Sequence, residues 1–270
     1  MPILHKDMTL CISLAGRPSN LGTRFHNFLY DELGLPFVYK AFTTDDVEGA
    51  VRGVRALGIR GCSVSMPYKE AVIPLVDELE ESAAAIESVN TIVNDGGRLT
   101  ASNTDYEAVA TLIAGLDPSL PVVVQGSGGM AKAVVAAFRG AGTDDLTVLA
   151  RNAATGRRTA EKYGYRHAAS LAEPLDDAVL VNATPLGMAG EDADALAFPL
   201  GHVRAASAVL DVVAFPALTP LVRAAEGAGV PVITGSQVIA LQAARQFERY
   251  TGVEVTPEQV ERASAFSRQG

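Results

Sequence analysis

A glycine-rich segment in the middle of the chain has the residue types and spacing that bind phosphate groups. The apolar run Pro121–Gly126 predicts a strand, and a helical pattern begins after the turn Gly126, Ser127, Gly128, Gly129, Met130, Ala131. Gly126 permits a tight turn, Gly128 lets backbone approach a pyrophosphate, and small Ala131 allows close packing of helix on sheet. A helix start also offers free N–H groups and a positive dipole end. Strand, glycine turn and helix in this order predict a dinucleotide site, the alternative being a glycine turn without a ligand.

The residues after the next predicted strand favour NADP over NAD. An NAD site usually has Asp or Glu about 20 residues beyond the glycine turn, bonded to the ribose 2′-hydroxyl. Here the strand Asp145–Ala150 ends in Arg151 and Asn152, and Arg157 and Arg158 follow. A guanidinium suits a 2′-phosphate because it forms paired, charge-assisted hydrogen bonds. We therefore expect NADP as the cofactor; the alternative is that Arg151 is a solvated loop charge.

Two further segments place a titratable residue where a predicted strand passes into a helix. One runs from Ser63 through Ser65 to Lys69, and the other is Ser102-Asn103-Thr104-Asp105. The carboxyl ends of parallel strands are where ligands bind in α/β sheets, which makes Lys69 and Asp105 candidate catalytic residues. Taken alone, a lysine such as Lys69 is more often a surface residue, and an acid such as Asp105 is more often a helix N-terminal residue favoured by the dipole. The residues by themselves leave both alternatives open.

Short β-branched runs alternate with amphipathic stretches along most of the chain, which predicts βαβ units, largely parallel sheets and an α/β fold. The predicted strands are Thr9–Ala15, Phe37–Phe42, Gly61–Met66, Asn90–Asn94, Pro121–Gly126, Asp145–Ala150, Ala178–Ala183, Ala208–Val213 and Val230–Thr234. A boundary between two domains is expected between Ala101 and Pro121, where the predicted helix Thr104–Leu116 ends at Asp117-Pro118. Gly187–Pro199 is predicted to be a loop and Gly235–Tyr250 a strong helix.

Composition narrows the classes of function. The 270 residues carry a net charge of −9 and 48% apolar residues, which fits two globular domains. The acidic balance argues against nucleic acid as a partner, and no apolar run is long enough to span a bilayer, so we expect no membrane partner. The N-terminal segment lacks the pattern of a signal peptide, and Cys11 and Cys62 lie in strand-like runs, which together predict a cytoplasmic protein with two reduced thiols. The scattered histidines predict no metal site.

With these motifs in order along nearly the whole chain, the sequence resembles the shikimate/quinate dehydrogenase family, most closely its shikimate 5-dehydrogenase-like paralogues. The segment ending in Lys69 resembles the family's N-V-T-x-P-x-K, and Asn103-Thr104-Asp105 resembles N-T-D. Further ordered similarities are His26-Asn27, Ser88-Val89-Asn90-Thr91 with V-N-T, the Gly126 turn, Ala150-Arg151-Asn152 with N-R-T, Asn182–Met188 with N-A-T-x-x-G-M, and Gln242-Ala243 with the late Q-A pair.

The resemblance implies a two-domain α/β fold. It implies an N-terminal substrate domain over residues 1–105, a Rossmann-like NADP-binding domain over 106–235, and C-terminal helices over 236–270 that return to the first domain. It also implies that the protein is a monomer or homodimer and that it binds a small-molecule substrate.

The implied activity is that of a shikimate dehydrogenase-type oxidoreductase of aromatic amino-acid biosynthesis. A ring carbinol passes a hydride to NADP while its hydroxyl loses a proton, with Lys69 and Asp105 as the catalytic pair. The substrate-binding positions implied are Asn20, Gly22, Thr23, Ser65, Asn90 and Gln242. The cofactor-binding positions implied are Gly126, Ser127, Gly128, Gly129, Met130, Ala131, Arg151, Asn152, Thr184 and Gly235. Whether Lys69 acts as a base or as an electrostatic stabiliser stays open.

Departures from the family pattern concentrate at the part of the site that would hold the substrate carboxylate. Asn20-Leu21-Gly22-Thr23 stands where the family has S-x-S-P, Ser63 replaces the first Asn of N-V-T, and Ala214 replaces the Tyr of D-x-x-Y-x-P. Ser19, Asn20 and Thr23 are possible substitutes for the lost hydroxyls, and Arg17 and Arg24 are either new carboxylate contacts or surface charge. Loss of two or three hydrogen bonds, at about 1 kcal/mol each, predicts weakened shikimate binding.

Alternatives to this hypothesis remain open from sequence. A quinate-preferring enzyme, an enzyme for an aminated analogue, and a main-line shikimate dehydrogenase with local compensation all fit the same motifs. A NADP-binding sensor with little or no turnover is an alternative from another class, against which the retained Lys69 and Asp105 argue. A tetrahydrofolate-type dehydrogenase fits the N-T-D and Q-A segments less well.

Overall fold

The computed structural model describes residues 4–171 and 173–269. The strands are β1 Thr9–Leu14, β2 Phe37–Phe42, β3 Gly61–Val64, β4 Glu78–Leu79, β5 Thr91–Asp95, β6 Arg98–Ser102, β7 Val122–Gln125, β8 Leu146–Leu149, β9 Arg166–Ala168, β10 Val179–Asn182, β11 Ala208–Asp211 and β12 Val232–Thr234. The helices are α1 Asn20–Glu32, α2 Val47–Ala56, α3 Glu81–Ala84, α4 Thr104–Ile113, α5 Gly129–Gly140, α6 Ala153–Lys162, α7 Leu200–Ala205, α8 Pro220–Ala228, α9 Gly235–Thr251 and α10 Pro257–Ser267, with a 3₁₀ turn at Ile73–Leu75.

The chain forms two compact units, each with its own six-stranded sheet. The first unit contains the residues up to Thr104 and those from Ala240 onward, and the second contains Asp105–Ile239. The α/β fold class with two domains is confirmed. None of the helices in the described part of the chain is both long and apolar enough to cross a membrane.

The sheet of the first unit has the order β2-β1-β3-β5-β6-β4 and is mixed. Strands β1, β2 and β3 are parallel, but β5 runs antiparallel to both β3 and β6. Strand β4 is parallel to β6, so β5 alone of these six strands runs against the others, and the prediction of largely parallel sheets is confirmed apart from this strand. The cause is a tight hairpin at Asp95-Gly96-Gly97, where both glycines have positive φ, and this turn reverses the chain directly into β6.

Successive side chains of β1 point to opposite faces of this sheet and belong to two separate hydrophobic cores. Cys11 packs with Phe25, Tyr39 and Phe247, so that α1, α9 and α10 cover one face. The next residue, Ile12, belongs to a separate cluster that α2 covers. This arrangement follows from the two-residue period of a strand. Both cysteines are buried and free, and burial raises the pKa of the Cys11 thiol to about 11.

The sheet of the second unit is wholly parallel in the order β12-β11-β10-β7-β8-β9. Strands β7 and β10 are neighbours in the sheet, and the chain order runs outward from them in opposite directions. This is the Rossmann strand order, in which ligands bind beyond the carboxyl ends of the two central strands. The loops after β7 and β10 therefore define where a cofactor site is expected in this unit.

Candidate functional site

The glycine turn after β7 requires glycine at its first position. Gly126 has φ +127°, a conformation that L side chains rarely adopt. A Cβ there would lie 2.6 Å from the carbonyl oxygen of Ala183, the residue after β10. The Ala183 N–H donates to the Gln125 carbonyl at 2.8 Å, so the two strand ends are held together at this point. Gly126 is thus fixed both by conformation and by close approach of backbone.

The following glycines leave open space at the start of α5. A Cβ at Gly128 or Gly129 would meet no heavy atom within 4 Å. Gly128 is the N-cap of α5 and provides no side-chain cap for the first N–H groups. Free N–H groups and the positive dipole end at an open glycine cradle suit a pyrophosphate. Met130 is half-buried, and Ala131 is fully buried on the side of α5 that packs on the sheet.

The end of β8 places a cation and a second helix start beside this turn. Arg151 is exposed, and Asn152 caps α6 by accepting from the N–H groups of Ala154 and Thr155 at 3.1 and 3.2 Å. The Thr155 and Ser127 hydroxyls are 2.8 Å apart, which ties α6 to the glycine turn. Asn152 therefore has a structural capping role in addition to its predicted place in the cofactor site.

These segments surround one cleft with a volume of about 630 Å³. Of the predicted cofactor residues, it is lined by Gly126, Ser127, Gly128, Arg151, Asn152 and Thr184. Other predicted cofactor residues, Gly129, Met130, Ala131 and Gly235, do not line it. Its apolar walls include Leu149, Leu171, Ala197 and Phe198. A cleft with apolar walls and polar groups at defined positions, at the switch point of a parallel sheet, is the form of a nucleotide site.

A buried polar network holds the loop that carries Thr184. The Thr184 hydroxyl donates to Asn182 Oδ1 at 2.6 Å, and Asn182 Nδ2 donates to Asp211 Oδ1 at 3.0 Å. Asp211 also accepts from the Val213 N–H at 3.1 Å and from the Thr219 hydroxyl at 2.5 Å. Burial raises the pKa of the Asp211 carboxyl, and these hydrogen bonds counter the rise in part. The network fixes the path of the chain after β10 and β11, where the cleft lies.

Gly235, the first residue of α9, packs against backbone. A Cβ at Gly235 would lie 2.3 Å from the Val213 carbonyl oxygen. Only glycine fits this contact between α9 and the residues after β11. Its predicted role in cofactor binding stays a prediction, since close packing alone accounts for the glycine.

In the first unit, Lys69 follows the end of β3. Ser65 is exposed, and its N–H donates to the Leu14 carbonyl at 2.8 Å, which joins this segment to the end of β1. Lys69 is half-buried, and its carbonyl accepts from the Val89 N–H at 2.9 Å. The backbone of Lys69 is thereby fixed directly beside Asn90.

Asn90 is 3% exposed and organises the start of α4. Its Oδ1 accepts from the Thr104 N–H at 2.7 Å, and its Nδ2 donates to the Thr104 hydroxyl at 3.0 Å. That hydroxyl lies 3.4 Å from Gln242 Oε1, so two predicted substrate residues meet through Thr104. Asp105 follows in the first turn of α4 and belongs to the second unit. Asn90 therefore positions the helix turn that presents Asp105, a role that the motif alone does not reveal.

A buried network around Ser63 was not predicted from sequence. The Ser63 hydroxyl donates to Gln246 Oε1 at 2.8 Å, accepts from the Tyr39 hydroxyl at 2.7 Å, and lies 3.2 Å from the Tyr250 hydroxyl. Gln246 Nε2 donates to the Asn90 carbonyl at 3.1 Å and to the Thr91 hydroxyl at 3.0 Å. The signal available in the sequence is the spacing of Gln246, one helical turn beyond Gln242.

The segment at the start of α1 carries the residues predicted to replace the family's serines. Asn20 is exposed, and a Cβ at Gly22 would lie 3.6 Å from the Tyr39 hydroxyl. The Thr23 hydroxyl is buried and, within the described chain, has no hydrogen-bond partner. His26 is fully buried and stacks on Tyr39 with ring centroids 4.4 Å apart. Burial lowers the pKa of His26 to about 3, so it packs as a neutral ring.

Of the two arginines considered for a carboxylate, Arg24 has another role. Its guanidinium donates twice to the Phe266 carbonyl, at 3.0 and 3.2 Å, and lies 4.4 Å from the centre of the Phe266 ring. Arg24 thus fastens α10 to α1, and Arg17, which is exposed, is the remaining candidate. Among the described residues, no group of three or more His, Cys, Asp or Glu side chains is placed to hold a metal ion.

The second unit is an α/β nucleotide-binding domain by strand order and cleft, and comparison with known proteins identifies the family. The sequence profile of the shikimate dehydrogenase substrate-binding domain matches residues 19–92. A shikimate dehydrogenase-like protein of Haemophilus influenzae is 54% identical over 98% of this chain and 99% of its own length. A shikimate dehydrogenase (NADP(+)) of Chlorobaculum tepidum is 40% identical over 85% of each chain. The crystal structure of shikimate 5-dehydrogenase from Thermus thermophilus, in complex with NADP(H) and shikimate, is 31% identical with a TM-score of 0.83, and the match covers 96% of this chain and 100% of that one.

The chain belongs to the shikimate dehydrogenase family. The resemblance derived from the motifs is therefore confirmed. The use of NADP is named for the Chlorobaculum protein, and bound NADP(H) is named for the Thermus structure. For this chain, the cofactor is inferred from the residues of the cleft described above.

Proposed function

We propose that this protein is an NADP-dependent oxidoreductase of the shikimate dehydrogenase type that binds shikimate weakly. It transfers a hydride reversibly between NADP(H) and a ring carbinol or ketone of shikimate, 3-dehydroshikimate or a close analogue. In this proposal the second unit binds the cofactor and the first unit binds most of the substrate. The observation that carries it is the cleft at the carboxyl ends of β7, β8 and β10, with its glycine turn and Arg151.

The residues of the cleft fit NADP(H). Gly126 makes the turn possible, and the open positions Gly128 and Gly129 leave space for a pyrophosphate at the start of α5. Arg151 stands where an NAD site has an acid, so its guanidinium suits the 2′-phosphate. When bound, NADP supplies the acceptor of the hydride.

Lys69 and Asp105 carry the proton chemistry in this proposal. The oxidation of a ring carbinol requires loss of the hydroxyl proton as the hydride departs. Lys69 accepts that proton or stabilises the negative charge that develops on the oxygen, and Asp105 orients the lysine and holds a substrate hydroxyl. Asn90 and Gln242 contribute through Thr104, which keeps the start of α4 in place.

The geometry around Ser63 supports the weak binding of shikimate. A hydroxyl has one donor and two acceptor sites. Ser63 donates to Gln246 and has the hydroxyls of Tyr39 and Tyr250 at its two acceptor sites. It has no remaining capacity for a substrate, and Arg24 is engaged by Phe266. Loss of two or three contacts of about 1 kcal/mol each corresponds to a KM raised by roughly 30- to 150-fold.

Initial-rate kinetics test the proposal. NADP and NAD are each assayed with shikimate and quinate, for the natural protein, Lys69→Ala, Arg151→Ala and, as a matched control, the exposed Lys40→Ala. We expect turnover of shikimate with NADP at a high KM, and a loss of about 10²- to 10⁴-fold in kcat for Lys69→Ala but not for Lys40→Ala. Arg151→Ala is expected to weaken NADP at least tenfold and to leave NAD unchanged.

Other outcomes would change the proposal in defined ways. A shikimate KM typical of the family's main biosynthetic enzymes would contradict the weak-binding part. A higher kcat/KM for quinate would make quinate the substrate. Tight binding of NADPH by calorimetry without turnover across a panel of polyhydroxylated ring acids would support a sensor and refute the enzyme.

A further inference from the structure

A buried histidine lies at the cleft of the second unit and has no part in the motifs. His202 lies in α7, is 7% exposed, and lines the cleft that Gly126, Arg151 and Thr184 also line. Both of its ring nitrogens are buried, and neither has a hydrogen-bond partner in the described part of the chain. Since a buried polar group without a partner costs about 1–3 kcal/mol, a partner supplied by a ligand would explain why histidine is present.

The other polar side chains of the cleft are better satisfied. Thr184 donates to Asn182, Asn152 caps α6, and Ser127 is within hydrogen-bond distance of Thr155. His167, the neighbouring histidine of the same unit, lies 3.2 Å from the Ala150 carbonyl. His202 is thus distinguished from these groups by having both burial and unused hydrogen-bonding capacity.

The surroundings of His202 are those of a slot for a planar base. Leu149, Leu171, Ala197 and Phe198 provide apolar walls to the same cleft. A neutral imidazole carries one donor and one acceptor. The edge of adenine offers an exocyclic amino donor beside ring-nitrogen acceptors, so one ring nitrogen of His202 can pair with it in either tautomer.

We propose that His202 is an adenine-binding residue of the cofactor site, where its imidazole forms a hydrogen bond with the edge of the base. This inference rests on the proposed NADP function and extends it to a residue outside the glycine turn and the arginine loop. His202 is thus assigned to the adenine base, and Arg151 to the 2′-phosphate.

The test uses adenosine 2′,5′-bisphosphate, the half of NADP that carries both groups, and the full chain labelled at histidine Cε1. The chain has four histidines, so the Cε1–H spectrum contains four side-chain signals, and His202→Gln assigns the relevant one by its absence. We expect the bisphosphate to shift the His202 signal and to leave those of His5 and His26 unchanged. The shift itself is measured on the natural protein, and the variant serves only to assign the signal.

Calorimetry provides the second readout. We expect His202→Phe to weaken the bisphosphate about tenfold, since one buried hydrogen bond is lost, and His202→Gln to recover part of that loss. Arg204→Ala, an exposed position on the same helix, serves as the control and should leave the affinity unchanged. Nicotinamide mononucleotide should bind all variants equally.

The outcomes separate this inference from the proposed function. If the natural protein binds the bisphosphate while the His202 signal stays in place and His202→Phe binds equally well, the inference is wrong and the NADP proposal stands. If the natural protein binds neither the bisphosphate nor NADPH, both are wrong.

Discussion

Replacement of Gln246 by leucine is expected to destabilise the first unit by removing the centre of its buried polar network. Gln246 is 4% exposed and lies on the face of α9 that packs on the first sheet. Leucine has a similar volume and fits the apolar neighbours on either side, Phe247 and Ala243. The substitution therefore changes hydrogen bonding with little change in packing volume.

The magnitude follows from what the change leaves behind. Three hydrogen bonds are lost: one from Ser63 and two to the Asn90 carbonyl and the Thr91 hydroxyl. The Asn90 carbonyl still accepts from the Val64 N–H at 2.8 Å, and Thr91 still donates to Asn90 Oδ1 at 2.8 Å. Only the Ser63 proton loses its acceptor outright, at a cost of about 1–3 kcal/mol, and each of the other two bonds contributes about 0.5–1 kcal/mol. We expect the free energy of unfolding to fall by about 3 kcal/mol.

Urea denaturation followed by tyrosine fluorescence measures this change, because the chain has no Trp and Tyr39 and Tyr250 lie in the network. The midpoint should fall with an unchanged slope. Gln269→Leu, the same substitution at an exposed position of the first unit, is the control and should cost less than about 1 kcal/mol.

A double-mutant cycle with Ser63→Ala then isolates the bond. Removal of the serine hydroxyl should cost about 1 kcal/mol less in the Gln246→Leu background than in the natural protein. If the two changes add within about 0.3–0.5 kcal/mol, the hydrogen bond between them does not contribute and the argument fails.

Three further substitutions test the second unit. Gly126→Ala should lower the free energy of unfolding by about 3 kcal/mol or more, because φ is +127° and the new Cβ would meet the Ala183 carbonyl at 2.6 Å. Gly128→Ala should cost less than about 1 kcal/mol but weaken NADPH in a fluorescence titration, since its Cβ enters open space at the start of α5. Equal stability of the two variants would contradict the account of the turn. Because burial raises the pKa of Asp211 above 3.8, its ionisation lowers stability as pH rises through that raised pKa. Relative to Asp211→Asn, the natural protein should therefore gain stability as pH falls toward 3.8, and parallel urea midpoints for the two proteins from pH 7 to 4 would refute the assignment.

The strands were predictable where burial on both faces gave continuous apolar runs. The core of each predicted strand in the second unit is a strand in the structure, and β10, Val179–Asn182, is buried throughout. Three strands were not predicted: β4, β6 and β9, with two, five and three residues. Two of them are too short to show a period, and β6 begins and ends in polar residues. The Asp95-Gly96 dipeptide before β6 is a hairpin signal that would have indicated it.

The cofactor cleft was predictable because its determinants are local in sequence. A strand, a glycine turn and a helix start are adjacent in the chain, and backbone conformation alone requires glycine at position 126. Arg151 is informative because of its position: β8 ends at Leu149, Ala150 follows, and Arg151 is the next residue. In contrast, His202 is about 75 residues from the glycine turn, and nothing in its immediate sequence indicates that it lines the same cleft.

The polar network of the first unit could not be derived from motifs because its members are distant in sequence. Ser63 and Gln246 are separated by 183 positions, and their hydrogen bond exists only because α9 packs across the face of the sheet that holds Ser63. Comparison of motifs alone shows only that Ser63, at the end of β3, replaces the asparagine of the family pattern. The structure places the amide of Gln246 against that serine, so an amide from the C-terminal helix takes up the serine's donor and joins it to Asn90 and Thr91. Substitution of Ser63 alone by asparagine would therefore place a second amide in a space that the Gln246 amide already fills.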